Sequence, residues 1–296
     1  MIFNKFFILF KIGRKIGKSN IINIVSETHK IPVFIKLFFN LLAFSFSSSN
    51  NTKSKGRENL SESIQEMGTT FIKLGQFLAT RPDIIGEKLS KELESLQDKL
   101  PPFSKKEAEK IIIENLGQSN FDDIIDLSEP IAAASIAQVH KAKIKEDNII
   151  KNVAIKVLRP NIKKIFNDEI DAIMLLAYIV ESLISKTKRL KLIEVVFLFK
   201  EITNHEMDLR FEAAAANEYA ENTKNDLGFF VPKIYWNFTS ESVLTLDWVD
   251  GVSIREKDLL KEKNIETSKI ATNLIQHFLR HAVRDGFFHA DMHQGN

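Results

Sequence analysis

A lysine inside an apolar strand pattern constrains this chain more than any other feature. Residues 153–158 read Val-Ala-Ile-Lys-Val-Leu, the alternation expected of a half-buried strand. A lysine is costly to bury unless an anionic group lies beside it. Ser135–Ile144 also has a strand pattern, and the polar residues 145–152 predict a hairpin connection between the two runs. The sequence therefore predicts a hairpin whose second strand carries Lys156 to a carboxylate.

Small side chains come just before this hairpin. Ala132, Ala133, Ala134 and Ser135 follow one another, and we interpret them as a tight turn whose backbone a ligand can approach closely. A small-residue turn, a strand, a hairpin and a lysine in V-A-I-K together form the upper half of a protein-kinase-type nucleotide cradle. Alanine stands where such a loop normally has glycine.

The composition limits the class of protein. A chain of 296 residues with 44% hydrophobic and 27% charged residues is globular and long enough for about two domains. A net charge of +2 argues against general nucleic-acid binding, and the absence of cysteine excludes disulfides and thiolate metal sites. The first 50 residues hold seven cationic side chains against Glu27 alone, together with nine of the 23 phenylalanines.

The basic N-terminal segment, residues 1–46, predicts short amphipathic helices. Its longest apolar piece, Ile31–Phe46, is shorter than the ~20 residues that span a bilayer. Two interpretations stay open at this point: a peripheral membrane anchor, or a segment that packs on the body of the protein. Residues 45–55 are rich in Ser, Asn and Lys and predict a linker.

Helical periodicity dominates the remainder of the chain. Leu60–Leu78 predicts one continuous helix with Lys73 and Gln76 on one face. Gly75 inside it indicates close approach by another group, although an ordinary packing glycine and a surface lysine are the alternative. Further helices are predicted at residues 86–98, 104–117, 162–184, 192–223 and 266–284, and strands at 229–237 and 242–248.

Two polar clusters are candidates for chemistry. Glu206, Asp208 and Glu212 precede a run of four alanines, which predicts an acidic stripe on a close-packed helix that needs a cation. Near the end, Asp291 and Asn296 are five residues apart, the spacing of the aspartate and the metal-binding asparagine in a kinase catalytic loop. The histidine pairs 277/281 and 289/293 leave a metal site as the alternative.

Five motifs in this order resemble one family. AAASIAQVH, VAIK, KLGQ, EMDLRFEAAAAN and HADMHQGN are similar to motifs of the UbiB family of atypical protein-kinase-like proteins, the ADCK group in eukaryotes. The resemblance runs from about residue 55 to the end. It implies an α+β, kinase-like fold with a small β-sheet N-lobe, the start of a helical C-lobe and a helical N-terminal extension. The implied segments are 1–54, 55–125, 126–250 and 251–296.

The resemblance also implies roles for residues. Lys156 would orient the phosphates of ATP or ADP, Glu212 would be its ion-pair partner, and Asp291 would orient or deprotonate the phosphoryl acceptor. Asn296 would bind Mg²⁺. The other implied nucleotide-binding residues are Ala132, Ala133, Ala134, Ser135, Lys73, Gln76, Glu206 and Asp208, with Lys73 near the two carboxylates.

The implied function is an ATP-binding atypical kinase or ATPase that supports ubiquinone biosynthesis. A nucleotide-gated, non-catalytic scaffold is the alternative, whereas a polyprenylphenol hydroxylase is disfavoured because no G-x-G fingerprint is present. Expected partners are membrane lipids or polyprenyl quinone precursors and the enzymes of ubiquinone biosynthesis, not nucleic acid. The expected location is peripheral, on the cytoplasmic face of the bacterial inner membrane or its mitochondrial equivalent. The helical extension would obstruct a protein substrate.

The chain departs from the family pattern in three ways. Ala137 stands where the family usually has glycine, and Met292 and Gln294 replace usual prolines. The D-F-G aspartate, the second protein ligand for Mg²⁺, would lie beyond Asn296. We therefore expect the chain to be a fragment of a longer protein and to be inactive alone.

Overall fold

A five-stranded sheet carries the lysine hairpin. The computed structural model describes residues 2–18, 21, 60–94, 96, 100–183, 185–254 and 256–290. The strands are β1 (Ile124–Ile125), β2 (Pro130–Ala133), β3 (Ala137–Glu146), β4 (Ile149–Leu158) and β5 (Val243–Asp247). They pair in the order β1-β3-β4-β5, and β2 pairs with β3.

The β3–β4 hairpin is longer and tighter than the sequence predicts. Its loop is only Asp147–Asn148, and both residues have positive φ values of 51° and 61°. Two residues with positive φ make the type I′ turn that matches the twist of a hairpin, and Asp and Asn tolerate that conformation. The predicted connector of residues 145–152 is therefore wrong, because most of it belongs to the two strands.

Helices make up most of the remaining chain. They are α1 (Ile2–Lys18), α2 (Leu60–Gln65), α3 (Thr69–Ala79), α4 (Pro82–Ile85), α5 (Glu87–Leu93), α6 (Lys105–Leu116), α7 (Gln118–Asp122), α8 (Ile162–Leu183), α9 (Leu192–Glu206), α10 (Leu209–Thr223), α11 (Lys257–Glu262) and α12 (Thr267–Arg280). Short 3₁₀ turns lie at Ser185–Leu190 and Trp236–Phe238, and a π turn, His281–Asp285, continues α12. The α+β class is confirmed.

The chain forms two compact units. We call Met1–Pro102, Ala133–Ala137 and Arg159–Met207 the helical unit, and Phe103–Ala132, Gln138–Leu158 and Asp208–Asn296 the sheet unit. The division into four segments stays a prediction.

The N-terminal helix α1 is packed within the helical unit. Ile12 is buried in a cluster with Met67, Phe71 and Ala172, and the Lys15 ammonium donates to the Met67 carbonyl at 2.8 Å. For α1, the packing interpretation therefore holds. Among the described residues, no helix is both long enough and apolar enough to cross a membrane. The rest of the predicted anchor, residues 22–46, lies outside the described residues.

The sheet unit has its own apolar core between the sheet and α6. Its members are Ile112, Leu127, Ala142, Ile144, Val153, Ile155, Val157, Tyr235, Phe238 and Val243. Helix α6 opens with the predicted capping box, in which Ser104 and Glu107 exchange hydrogen bonds, and Gly117 ends it as predicted.

Two predicted long helices are each broken in the middle. The segment 60–78 forms α2 and α3, because Gly68 between them has a φ of 102° that no helix contains. The segment 192–223 forms α9 and α10, because Asp208 caps the second helix by accepting from the Arg210 N–H. The periodic spacing of apolar residues continues across both breaks, so this spacing alone does not predict them.

Other predicted bounds also differ. Residues 229–237 do not form a strand, because Pro232 has no N–H to donate to a ladder; only Ile234 bridges to Leu246. The helix predicted at 86–98 is the shorter α5. The helix predicted at 266–284 is α-helical only as far as Arg280. The π turn follows it, and Gly286 then adopts a left-handed φ of 64°.

Candidate functional site

Lys156 and Glu212 form the predicted ion pair in the sheet unit. Lys156 lies in β4 between the fully buried Ile155 and Val157. Its ammonium donates to both carboxylate oxygens of Glu212, at 2.9 Å and 2.7 Å. The lysine side chain is 27% exposed and the glutamate 49%. The contact is confirmed, whereas the catalytic role of both residues stays a prediction.

The start of α10 fixes the glutamate. The Leu209 N–H donates to the Glu241 carbonyl at 3.0 Å, just before β5, and β5 pairs antiparallel with β4 so that Leu244 faces Lys156. Glu212 lies in the first turn of this helix, where the helix dipole favours a negative charge. The sheet and the helix therefore meet at the ion pair.

Asp208 has partners that the sequence analysis did not predict. It caps α10, and its carboxylate binds the Arg210 guanidinium at 2.9 Å and 2.7 Å. This hydrogen bond raises the pKa of Arg210. An aspartate immediately before a helical run is a readable capping signal, so the sequence contained the information.

The helical unit brings together Lys73 and Glu206. Lys73 extends from α3, its side chain is 16% exposed, and its Nζ lies 2.9 Å from Glu206 Oε2 at the end of α9. Gln76 is half-buried one turn along α3. The predicted contact between Lys73 and Glu206 is confirmed, whereas the predicted proximity of Lys73 to Asp208 stays a prediction. The prediction that Lys73 and Gln76 serve a nucleotide stays a prediction.

Gly75 is a packing glycine in this structure. It is buried, and a Cβ at this position would overlap with Leu96 Cδ1 and lie 3.4 Å from Ile64 Cγ2. The close approach that the sequence predicts therefore comes from side chains of the helical unit itself.

The alanine-rich turn is placed differently from the prediction. Ala132 and Ala133 lie in β2, and the turn comprises residues 134–136, closed by the Ala134 N–H donating to the Ala137 carbonyl at 2.8 Å. Ala137 does not have positive φ, so its backbone requires no glycine. The departure from the family pattern at this position therefore introduces no backbone strain.

Arg159 holds this turn, and the sequence analysis missed it. Its guanidinium donates to the Ala134 carbonyl from Nε at 3.0 Å and Nη2 at 2.8 Å, and to the Pro101 carbonyl at 3.0 Å. The Thr69 hydroxyl at the start of α3 donates to the Ser135 carbonyl at 3.2 Å. Arg159 and Thr69 therefore fix the backbone of this turn within the helical unit.

Two further motif residues have structural roles in the sheet unit. The Gln138 side-chain oxygen accepts from the Phe103 N–H at 2.9 Å, and its amide nitrogen lies 2.9 Å from His140 Nε2. His140 Nδ1 lies 2.8 Å from the Ser128 carbonyl, which fixes the tautomer as Nδ1–H donating. Burial lowers the pKa of His140.

The predicted catalytic loop lies at the end of the chain. Asp291 and Asn296 are outside the described residues, which end at Ala290. Carboxylate and amide oxygens are ligands that Mg²⁺ accepts, so the donor types present in the sequence fit that ion. The positions of both residues stay predictions.

Two histidines of the metal alternative, His277 and His281, lie beside a carboxylate, whereas His293 is outside the described residues. Donor atoms of Asp226, His277 and His281 all lie within 4.8 Å of one another. The Arg284 guanidinium donates to both oxygens of Asp226, at 2.7 Å and 2.9 Å, and Arg280 lies 3.6 Å from one of them. These hydrogen bonds hold the pKa of Asp226 well below its usual range.

Comparison with known proteins identifies the family. The family model described as the ABC1 atypical kinase-like domain matches residues 95–296. A probable protein kinase UbiB of Marinobacter nauticus is 34% identical over 268 residues, which are 90% of this chain and 48% of that protein. The probable protein kinase UbiB of Pseudomonas aeruginosa is 31% identical over 290 residues, 97% of this chain and 54% of that protein.

A solved structure supports the same conclusion about the fold. The complex of Rv3197 with erythromycin from Mycobacterium tuberculosis matches with a TM-score of 0.54 and 26% identity, over 76% of this chain and 55% of that one. The chain spans about half the length of the curated relatives it matches. The kinase-like fold and the family resemblance that the motifs predict are confirmed. With its lysine–glutamate pair between β4 and α10, the chain belongs to the UbiB family of ABC1 atypical kinase-like proteins.

Proposed function

We propose that the full-length protein binds ATP or ADP with Mg²⁺ beside Lys156 and turns ATP over, as an ATPase or a small-molecule phosphotransferase, in support of ubiquinone biosynthesis. The observation that carries this proposal is the Lys156–Glu212 pair. A lysine between two fully buried strand residues, held through both oxygens of a helix glutamate, is the arrangement that protein kinases require for phosphate binding.

The proposed mechanism depends on position and charge. Glu212 holds the Lys156 ammonium in one position, so the ammonium would donate to the nucleotide phosphates without a prior change of conformation. Asp291 would orient or deprotonate the attacking hydroxyl or water, and Asn296 would supply an oxygen to the metal. A bound Mg²⁺ would neutralise charge that develops on the phosphoryl group.

The proposed phosphoryl acceptor is water or a small molecule rather than a protein, as the family resemblance implies. Polyprenyl quinone precursors are the proposed class of small molecule.

The proposed location is a membrane surface, with peripheral attachment. Seven cationic side chains in the first 50 residues favour anionic lipid headgroups. On α1, Phe7 is 57% exposed and Phe10 is 38% exposed, so this packed helix also presents aromatic side chains outward. Such side chains suit insertion at a headgroup boundary. Enzymes of ubiquinone biosynthesis are the proposed protein partners.

Complementation tests the proposed function and its scaffold alternative together. A bacterial strain that lacks its own family member would receive one of three forms of the full-length protein: the wild type, Lys156→Met or Asp291→Asn. The ubiquinone content of each strain and the ATP turnover of each purified protein would be measured. If ATP turnover is required, both variants fail to restore ubiquinone. Restoration by Asp291→Asn but not by Lys156→Met would instead support a nucleotide-gated scaffold. Restoration by both variants would contradict any role for nucleotide.

A further inference from the structure

A basic turn joins helices α8 and α9 in the helical unit. Residues 185–191, which we call the basic turn, contain four cationic residues and no acidic one. Lys188 and Arg189 are exposed, and neither side chain has an ion-pair or hydrogen-bond partner among the described residues. Two adjacent cations without a partner repel each other, so an external anionic group would bind beside them favourably.

The helices that flank the basic turn expose large apolar side chains. Leu183, the last residue of α8, is 78% exposed, and Phe197, in the second turn of α9, is 54% exposed. Because a helix rises 1.5 Å per residue, Phe197 lies only about 8 Å along the axis from the start of α9. Four more large apolar side chains on these two helices are exposed: Tyr178, Ile179, Leu198 and Ile202. Apolar side chains exposed together in this way indicate an interaction surface.

The opposite faces of both helices are packed inside the helical unit. The Phe199 ring on α9 lies 5.5 Å from the ring of Phe166 on α8 and 5.5 Å from the ring of Phe77 on α3, measured between centroids. Lys200 Nζ lies 3.1 Å from Asp171 Oδ1, which joins the two helices through an ion pair. The exposed apolar side chains therefore belong to the faces that point away from this packing.

Hydrogen bonds hold the basic turn in place. The Thr187 hydroxyl donates to the Val180 carbonyl at 3.3 Å, and the Ile193 N–H donates to Glu181 Oε1 at 3.2 Å. Both bonds connect the turn or the start of α9 to the last turns of α8. The surface is therefore formed before any partner binds, and binding does not have to order it.

We propose that the basic turn and the exposed apolar side chains beside it dock the helical unit on an anionic lipid surface. Leu183 and Phe197 would enter the headgroup boundary, while Lys188 and Arg189 would contact lipid phosphates. A lipid surface offers phosphate and hydrocarbon at adjacent depths, which matches this combination of cations and apolar side chains. The inference rests on the proposed peripheral location and adds a second contact to that of α1.

The acidic residues on the exposed face of α9 leave the basic turn cationic. Glu194 forms an ion pair with Lys191, with 3.0 Å between Nζ and Oε1. Glu201 is exposed but lies one helical turn farther from the basic turn than Phe197. Neither carboxylate neutralises Lys188 or Arg189, so the attraction to anionic headgroups is retained.

The charged part of the surface is tested by flotation of the full-length protein with vesicles of phosphatidylcholine and phosphatidylglycerol. Lys188→Gln with Arg189→Gln should weaken binding by about tenfold or more, because each cation beside an anionic surface strengthens binding by about fivefold. Lys261→Gln with Lys263→Gln is the matched control, since both lysines are exposed and lie in the sheet unit. The control should bind like the wild type.

The apolar part is tested by Leu183→Ser with Phe197→Ser. Binding should weaken by about tenfold or more, because both side chains would lose apolar contact with the lipid. Leu227→Ser with Phe230→Ser is the matched control, since these side chains are 93% and 66% exposed and lie in the sheet unit. It should bind like the wild type. Thermal unfolding should give the same Tm for all variants, because every altered side chain is exposed.

Amide hydrogen exchange gives a measurement on the wild type alone. Vesicles with phosphatidylglycerol should slow exchange across the basic turn by about tenfold or more, whereas vesicles of phosphatidylcholine alone should not. Exchange in α11, which carries the control lysine Lys261, should be the same with and without vesicles.

The outcomes separate this surface from the proposed location. A wild type that does not bind anionic vesicles would overturn both. A wild type that binds them, with binding unchanged in both hairpin variants or exchange unchanged in the basic turn, would overturn the docking surface and leave the location to α1. Conversion of a dimer to a monomer by Leu183→Ser with Phe197→Ser, with flotation unchanged, would also overturn it and assign the apolar face to a second copy of the chain.

Discussion

Glu212→Gln separates the functional value of the Lys156 pair from its structural value. The change keeps the shape of the side chain and removes its charge. Lys156 and Glu212 are 27% and 49% exposed, and ion pairs with this much solvent contact contribute about 0–1 kcal/mol to the free energy of unfolding. For a protein of this size, 1 kcal/mol corresponds to a Tm shift of roughly 2–4 °C. The variant should therefore remain folded at assay temperature.

The expected effect on turnover is much larger. Without the carboxylate, the Lys156 ammonium is no longer fixed towards the phosphates, and kcat/KM for ATP should fall at least about tenfold, equivalent to about 1.4 kcal/mol of lost transition-state stabilisation. Phosphate release by the full-length protein measures kcat/KM, and thermal unfolding measures stability.

A second ion pair on the same hairpin provides the matched control. Glu146 accepts from Lys151 at 3.0 Å, and their side chains are 20% and 31% exposed. Glu146→Gln should change stability by a similar small amount and leave turnover unchanged. If Glu212→Gln and Glu146→Gln have the same turnover as the wild type, the Lys156 pair is only structural, and the assignment of the nucleotide site fails.

Three further predictions address packing, pH and membranes. Gly75→Ala gains about 1 kcal/mol of helix propensity, but the overlap of its Cβ with Leu96 costs about 1–3 kcal/mol, so urea unfolding should show a net loss of up to about 2 kcal/mol. Burial lowers the pKa of His140, so the neutral side chain contributes fully to stability at pH values above the pKa of the unfolded state, about 6.5. This contribution is lost as the pH falls below that value, and His140→Asn should flatten this part of the curve of unfolding free energy against pH. Phe7→Ser with Phe10→Ser should reduce co-flotation with anionic vesicles without lowering Tm, because both side chains face outward; equal flotation would assign membrane binding elsewhere.

Local signals were sufficient to predict that a hairpin carries Lys156, although not where its turn lies, and to predict several helix ends. The alternation around Lys156 predicted β4, and the Ser104–Glu107 capping box predicted the start of α6. A lysine in an apolar strand also predicted a carboxylate partner, which the structure identifies as Glu212. Each of these predictions depended on residues within one element, or on the cost of burying one charge.

Breaks in long helices and distant polar networks could not be predicted in the same way. Apolar spacing continues through Gly68 and Asp208, so periodicity merged pairs of helices that backbone conformation and capping separate. The hydrogen bonds of His281 join residues 55 and 62 positions away. No local pattern specifies such partners, because they depend on how α10 and α12 pack.

Isothermal titration of the full-length protein with Mg²⁺ and a non-hydrolysable ATP analogue tests whether nucleotide binds beside Lys156. We predict saturable binding at one site, with affinity at least about tenfold weaker in Lys156→Met, since a charge-assisted hydrogen bond to phosphate is worth about 1.5–3 kcal/mol. No saturable binding by the wild type, or the same affinity in Lys156→Met, would contradict it.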